Sequence, residues 1–182
     1  MNKVRGFTLI ESIVVMVVMA LAMVTVTNFL MPQITGSADL HYQSRASALG
    51  QSVMTKILAS SFDEQSTDLG GALRCSSADI GSSLCSGLAG TPSLGPDGSE
   101  APHQFNDVDD YIGCWTPNAT SGCNNLYDLI SSGADSSYHN FRLDIDVAYS
   151  TNTPTQMVKK ITLKIAAGKQ TPIEYVAYRG NY

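Results

Sequence analysis

The sequence predicts an α+β protein, with a long amino-terminal helix packed on a carboxyl-terminal antiparallel sheet. Two observations carry that expectation. Residues 7–31 are almost wholly apolar and form a run as long as a membrane-crossing helix needs. Residues 141–178 instead alternate apolar and polar in short runs separated by turn signals. The chain has 182 residues. About 150 of them lie beyond the apolar stretch, enough for one domain with its own core and not for two.

The apolar stretch reads GFTLIESIVVMVVMALAMVTVTNFLM, from Gly6 to Met31. It holds one charge, Glu11. An acid in such a segment costs on the order of 2.5–3.5 kcal/mol at mid-bilayer and marks a functional position that needs a partner. Lys3 and Arg5 precede the stretch, so the amino end stays cytoplasmic and the remainder is exported. An ordinary secretory signal places its small-residue cleavage site after the apolar core. Here Gly6 comes before it. Cleavage at Gly6 would remove the basic leader and leave the anchor attached.

Pro32 interrupts the run and removes one helical hydrogen bond. From Ser37 the chain turns amphipathic. Leu40, Leu49, Val53, Ile57 and Leu58 recur at mostly three- and four-residue steps between polar residues. The spacing predicts a helix from about Ala38 to Ser61, its apolar face on a sheet. One long helix is the preferred reading; two helices hinged at Pro32 and Gly36 is the alternative.

Asp63 to His103 is rich in Ser, Gly, Pro, Asp and Thr, with Gly70-Gly71, Gly95-Pro96 and Asp97-Gly98 as turn signals. A loop of that length needs a tie or a function. Pro92 to Ala101 is expected to be mobile and exposed. The chain has four cysteines, Cys75, Cys85, Cys114 and Cys123, all beyond the anchor. In an exported chain an even count points to disulfides, and four cysteines leave three connectivities open. The local pairs Cys75–Cys85 and Cys114–Cys123 are favoured. Neither spacing is that of structural zinc.

Phe105-Asn-Asp-Val-Asp-Asp-Tyr-Ile-Gly-Cys-Trp115 is the most distinctive part of the head. Asp107, Asp109 and Asp110 are oxygen ligands of the kind calcium uses, although the spacing is not that of an EF-hand. The preferred reading is a capped turn, with Asp side chains on backbone amides before Tyr111, Ile112 and Trp115 enter the core. No metal is therefore expected. Gly122 to Asp135 reads as another loop. Phe141 to Tyr149, Met157 to Ala166 and Ile173 to Tyr178 read as strands of a meander, with a turn at Thr151 to Pro154. In the second strand Ile161, Leu163 and Ile165 face in, and Lys160, Thr162 and Lys164 face out.

A net charge of −5 and a pI near 5.0 offer no broad basic surface, and no nucleic-acid partner is expected. His41, His103 and His139 show no catalytic spacing, and no phosphate-binding or metalloprotease motif occurs. The expectation is a protein that is not an enzyme and uses no cofactor.

Lys3-Val-Arg-Gly-Phe-Thr-Leu-Ile-Glu11 resembles the prepilin leader junction of type IV pilins and type II secretion pseudopilins. The resemblance covers about the first thirty residues. It implies the type IV pilin fold, cleavage by a prepilin peptidase between Gly6 and Phe7, and methylation of the new Phe7 amine. It also implies that Glu11 meets the Phe7 amine of a neighbouring subunit, which would compensate the acid in a low dielectric. The organisation that follows is a leader at 1–6, a transmembrane or filament-core helix at 7–31, an amphipathic helical half at 32–62 and a globular head at 63–182. The partners implied are other pilins, pilus assembly proteins, the peptidase and the inner membrane. The location implied is the inner membrane with a periplasmic head, and then a surface pilus. Asn106 to Tyr111, Phe62-Asp-Glu64, Gly70-Gly71 and Arg74-Cys75 are similar to segments of minor pilins of the mannose-sensitive haemagglutinin (MSHA) pilus. A minor pseudopilin of a type II secretion system is the alternative, and a tip component binding through the Asp63–His103 loop is a third reading.

Overall fold

The computed structural model describes residues 8–67, 73–120, 122–130, 138–153, 156–168 and 170–182; of residues 33–39, 152–153 and 156 it describes the backbone alone. Helix α1 runs Leu9–Ala59, with Pro32 inside it. It is one long helix, as preferred from the sequence. The chain divides within α1 into two units, residues 1–41 and 42–182.

Among the described residues of the first unit the helix side chains are exposed. Leu9, Ile10, Met16, Met19, Leu21, Met23 and Phe29 are all exposed. Leu9–Pro32 is long and apolar enough to cross a membrane, and none of it is buried within the protein. Three hydroxyls bend back onto the helix. Ser12 Oγ donates to Thr8 O at 3.1 Å, Thr25 Oγ1 to Ala22 O at 2.8 Å and Thr27 Oγ1 to Met23 O at 2.8 Å. Such internal satisfaction is what a helix in hydrocarbon requires.

The second unit is built on a five-stranded sheet in the order β2-β1-β3-β4-β5. The strands are β1 (Gly113–Thr116), β2 (Asn124–Asn125), β3 (Phe141–Thr153), β4 (Gln156–Ala167) and β5 (Ile173–Gly180). A short helix, α2 (Leu126–Ile130), follows β2. β3, β4 and β5 form the antiparallel meander expected from their alternation. β3 runs on to Thr153, so Thr151 to Thr153, expected as a turn, pair with β4 beyond a register shift at Tyr149/Thr151. β1, β2 and α2 were not expected. Residues 122–130 are therefore not all loop. β1 pairs with β2 in parallel, Trp115 opposite Asn124.

One face of the sheet is apolar by parity. Leu143 pairs with Ile165, Ile145 with Leu163 and Val147 with Ile161, and all are buried. Against them lie Ala46, Leu49, Val53, Met54 and Ile57 of α1. Of the predicted helix face, Leu49, Val53 and Ile57 are buried, Leu58 is partly buried and Leu40 is exposed. The helix and sheet approach closely at Gly50, where a Cβ would stand 2.6 Å from both Ile165 Cδ1 and Tyr175 Cε2. Glycine lets the backbone come that near. Trp115 is fully buried, with its Nε1–H donated to Tyr111 O at 3.1 Å. Phe105 meets the Tyr111 and Trp115 rings edge-on. Tyr111 and Trp115 enter the core as expected, whereas Ile112 is only partly buried.

Candidate functional site

Two regions hold the residues singled out by the sequence. The first is the start of α1. Gly6 and Phe7 lie outside the described residues. Glu11 sits in the first turn of α1 and is exposed. An acid at that end is favoured by the helix dipole.

The second region lies in the head, where α1 ends. Ser61 and Asp107 form a parallel bridge: Ser61 N–H donates to Asn106 O at 2.9 Å and Val108 N–H to Ser61 O at 3.1 Å. This bridge sets the chain after the helix beside the Asp-rich turn. Asp107 Oδ1 accepts the amides of Asp109 (2.9 Å) and Asp110 (3.2 Å). Asp110 Oδ2 accepts those of Asn106 (2.9 Å) and Asp107 (3.0 Å). These are the amide caps predicted for the segment.

Asp109 does something else. Its Oδ1 is hydrogen-bonded to Lys159 Nζ, and its Oδ2 accepts Gly95 N–H at 3.3 Å. Lys159 is 0% exposed. It donates to Phe62 O at 2.7 Å and to Asp63 Oδ2 at 3.0 Å as well, so all three ammonium protons are placed. Its charge also lies 4.6 Å from the centre of the Phe62 ring. Asp63 in turn accepts Ser86 N–H at 2.9 Å and Gln65 N–H at 3.1 Å. One buried cation thus joins β4 to the helix exit, the Asp-rich turn and the Cys85 loop. Sequence reading missed Lys159. It shares the parity of Ile161, Leu163 and Ile165, and that parity was the available signal.

The disulfides join Cys75 to Cys85 and Cys114 to Cys123. The first is buried with Phe62 and Met157, and Asn181 Nδ2 donates to Cys75 O at 2.8 Å. The second closes the chain between β1 and β2. Parallel neighbours ordinarily need a long crossover, and here a crosslinked turn suffices for a two-residue strand. Pro92 to Ala101 is less exposed than expected: Leu94, Gly95, Asp97 and Glu100 are partly buried. His41, His103 and His139 are exposed.

Around the Asp-rich turn carboxylates face one another. Burial, then the nearby charges of Asp109 and Asp110, pushes the Asp107 carboxyl up to about 8. Burial is also the leading cause of the upward shifts of Asp97, Glu100 and Asp110.

Residues 1–27 match the prokaryotic N-terminal methylation motif. The chain therefore carries the leader of type IV pilin and pseudopilin-type processing, which implies a prepilin peptidase and assembly with other pilins. The apolar helix that follows fits a membrane anchor. The α+β fold, a long amino-terminal helix followed by a five-stranded sheet, is the class predicted and is consistent with a type IV pilin. No curated protein and no solved structure matches the chain.

Proposed function

We propose that this chain is a minor pilin of an MSHA-type type IV pilus, similar to its minor pilin D, acting in pilus assembly or initiation, with adhesion as a further role. Prepilin peptidase cuts between Gly6 and Phe7 and methylates the Phe7 amine. Glu11 then pairs with the Phe7 amine of a neighbouring subunit. The subunit waits in the inner membrane with its head in the periplasm and afterwards joins the filament.

The observation that carries this reading is the methylation motif at residues 1–27 running into a helix whose apolar side chains are uncovered from Leu9 to Met31. Such a surface needs cover, from lipid before assembly and from like helices afterwards. The Asn106–Tyr111 segment and the disulfide-tied loops support the MSHA assignment and a specialised subunit over a lean repeating one.

The test is a clean deletion of the gene, scored in parallel for surface pili and for secreted enzymes. Loss of pili with normal secretion is expected. Loss of secretion with normal piliation would make the chain a minor pseudopilin of a type II secretion system and overturn the proposal.

A further inference from the structure

The centre around Lys159 holds an amine and two carboxylates with solvent shut out. Lys159 and Asp63 are 0% exposed and Asp109 is 1% exposed. The centres of the Phe62 and Tyr149 rings lie 4.6 and 5.8 Å from the Lys159 nitrogen. The three polar residues come from separate segments: β4, the helix exit and the Asp-rich turn. Neither the leader nor the anchor helix calls on this centre. Nor does the fold require it, because apolar side chains of like volume often replace a buried ion pair without loss.

The two acids are held differently. Asp63 is fixed on both oxygens by backbone amides, Gln65 N–H to Oδ1 at 3.1 Å and Ser86 N–H to Oδ2 at 2.9 Å. Its Oδ2 also accepts from Lys159 Nζ at 3.0 Å. Asp109 Oδ1 accepts from the same nitrogen, and its Oδ2 accepts one amide, Gly95 N–H at 3.3 Å. Phe62 O takes the remaining ammonium proton at 2.7 Å, which fixes the direction of the nitrogen. A positioned amine beside a carboxyl, a second carboxylate to carry a proton and an N–H on the far carboxyl oxygen are the parts of an acyl transfer.

We propose that Lys159 and Asp109 condense into an intramolecular isopeptide bond, with Asp63 as the proton carrier. The ammonium first hands one proton to Asp109 Oδ1, which leaves a neutral amine beside a neutral carboxyl. Nζ then adds to Asp109 Cγ, and charge gathers on Oδ2, where the Gly95 N–H meets it. Asp63 Oδ2 takes a second proton from the nitrogen and returns it to Oδ1. The Cγ–Oδ1 bond breaks, the oxygen leaves as water, and the amide keeps the third hydrogen. No proton is left over, and no oxidant or activating nucleotide is consumed. In bulk water the hydration of the ions opposes this condensation. Burial removes that hydration. The bond joins positions 50 apart in the chain and ties β4 to the Asp-rich turn, which the Ser61–Asp107 bridge already sets beside the helix exit.

The test is the intact mass of the full chain, purified in detergent and then denatured. With both disulfides allowed for, the chain should be lighter than its sequence by one water. A digest should contain a branched peptide joining Lys159 to Asp109. K159R keeps the cation without a nucleophilic amine, and D109A removes the acceptor; both should show the full mass. D63N should form the branched peptide about a hundredfold more slowly, followed in newly made chain, and formation at the parent's rate would overturn the role of Asp63. A parent of full mass would overturn the proposal, and that readout needs no variant to fold. So would a water loss that persists in K159R, as a succinimide at Asp97-Gly98 would give, or a branch from Lys159 to Asp63.

Discussion

Lys159 Nζ lies 3.0 Å from Asp63 Oδ2, and both side chains are wholly shielded from solvent. Asp109 holds the same ammonium from the other side. Removing one member of a buried ionic group costs more than the group contributes, because charge is left unpaired in a low dielectric. K159M should therefore lose about 3–5 kcal/mol, read as a shift in the guanidinium midpoint. The triple variant K159M/D63N/D109N removes the stranded charges and should recover part of that loss. A triple variant no better than K159M would refute the charge argument.

Gly50 sets two effects against each other. Alanine in a helix interior gains about 1 kcal/mol over glycine. At this position its Cβ would meet Ile165 Cδ1 and the Tyr175 ring at 2.6 Å, and overpacking costs about 1–3 kcal/mol. Ile165 is buried in the sheet and has little room to yield, so the clash should win. G50A should lower stability by about 1 kcal/mol or slightly more in chemical denaturation. A stabilised G50A would mean that helix and sheet are less closely set.

The Cys75–Cys85 bridge spans 10 residues and should contribute roughly 2–3 kcal/mol through the unfolded chain. C75A/C85A should unfold at a correspondingly lower denaturant concentration. Reductant should bring the parent down to the reduced variant, with a further loss of similar size from Cys114–Cys123, which spans 9 residues, in both. Equal unfolding of parent and variant without reductant would remove the bridge from the stability account.

The exposed pair Arg74–Asp79 offers a titration. Arg74 Nε and backbone N–H both donate to Asp79 Oδ2 at 3.0 Å, and the Arg74 hydrogen bond, followed by that of Ser77, holds the Asp79 carboxyl well below its ordinary range. A lowered folded-state pKa stabilises above the unfolded value and is lost as pH falls through the folded one. The Asp79 carboxyl resonance should thus stay ionised down to pH values where exposed aspartates have protonated. R74A should move its midpoint back toward about 4. A normal midpoint in the parent would contradict the pairing.

The legible parts of this fold are those whose pattern repeats within one element. The apolar run of α1 and the alternation of β3, β4 and β5 each fill several periods. β1, β2 and α2 are too short for that, and their partners set them: Trp115 pairs with both Leu143 and Asn124. Lys159 was hidden for a different reason. Its acids stand 50 and 96 positions away, and a lysine in an alternating strand reads as solvent-facing by default. Glu64, Asp97 and Asp107, whose carboxylate oxygens lie within 4.8 Å of one another, likewise come from separate segments that only the folded chain brings together. The caps by Asp107 and Asp110 were legible because they are local.

Glu11 gives the prediction closest to function. In the anchor helix the hydroxyls of Ser12, Thr25 and Thr27 are satisfied by the helix itself, so they place no demand on a neighbour. A carboxylate in the first turn, exposed on an apolar helix, does place one, and a subunit's amino-terminal ammonium would answer it in a low dielectric. E11V should leave the leader, and hence cleavage, intact, seen as normal mobility of the mature chain. Its content in sheared pili should fall about tenfold or more, the scale of a lost buried charge partner. E11D, which keeps the charge on a shorter arm, should retain more incorporation than E11V. Cleaved E11V found in pili at the parent's level would show that assembly needs no acid at this position.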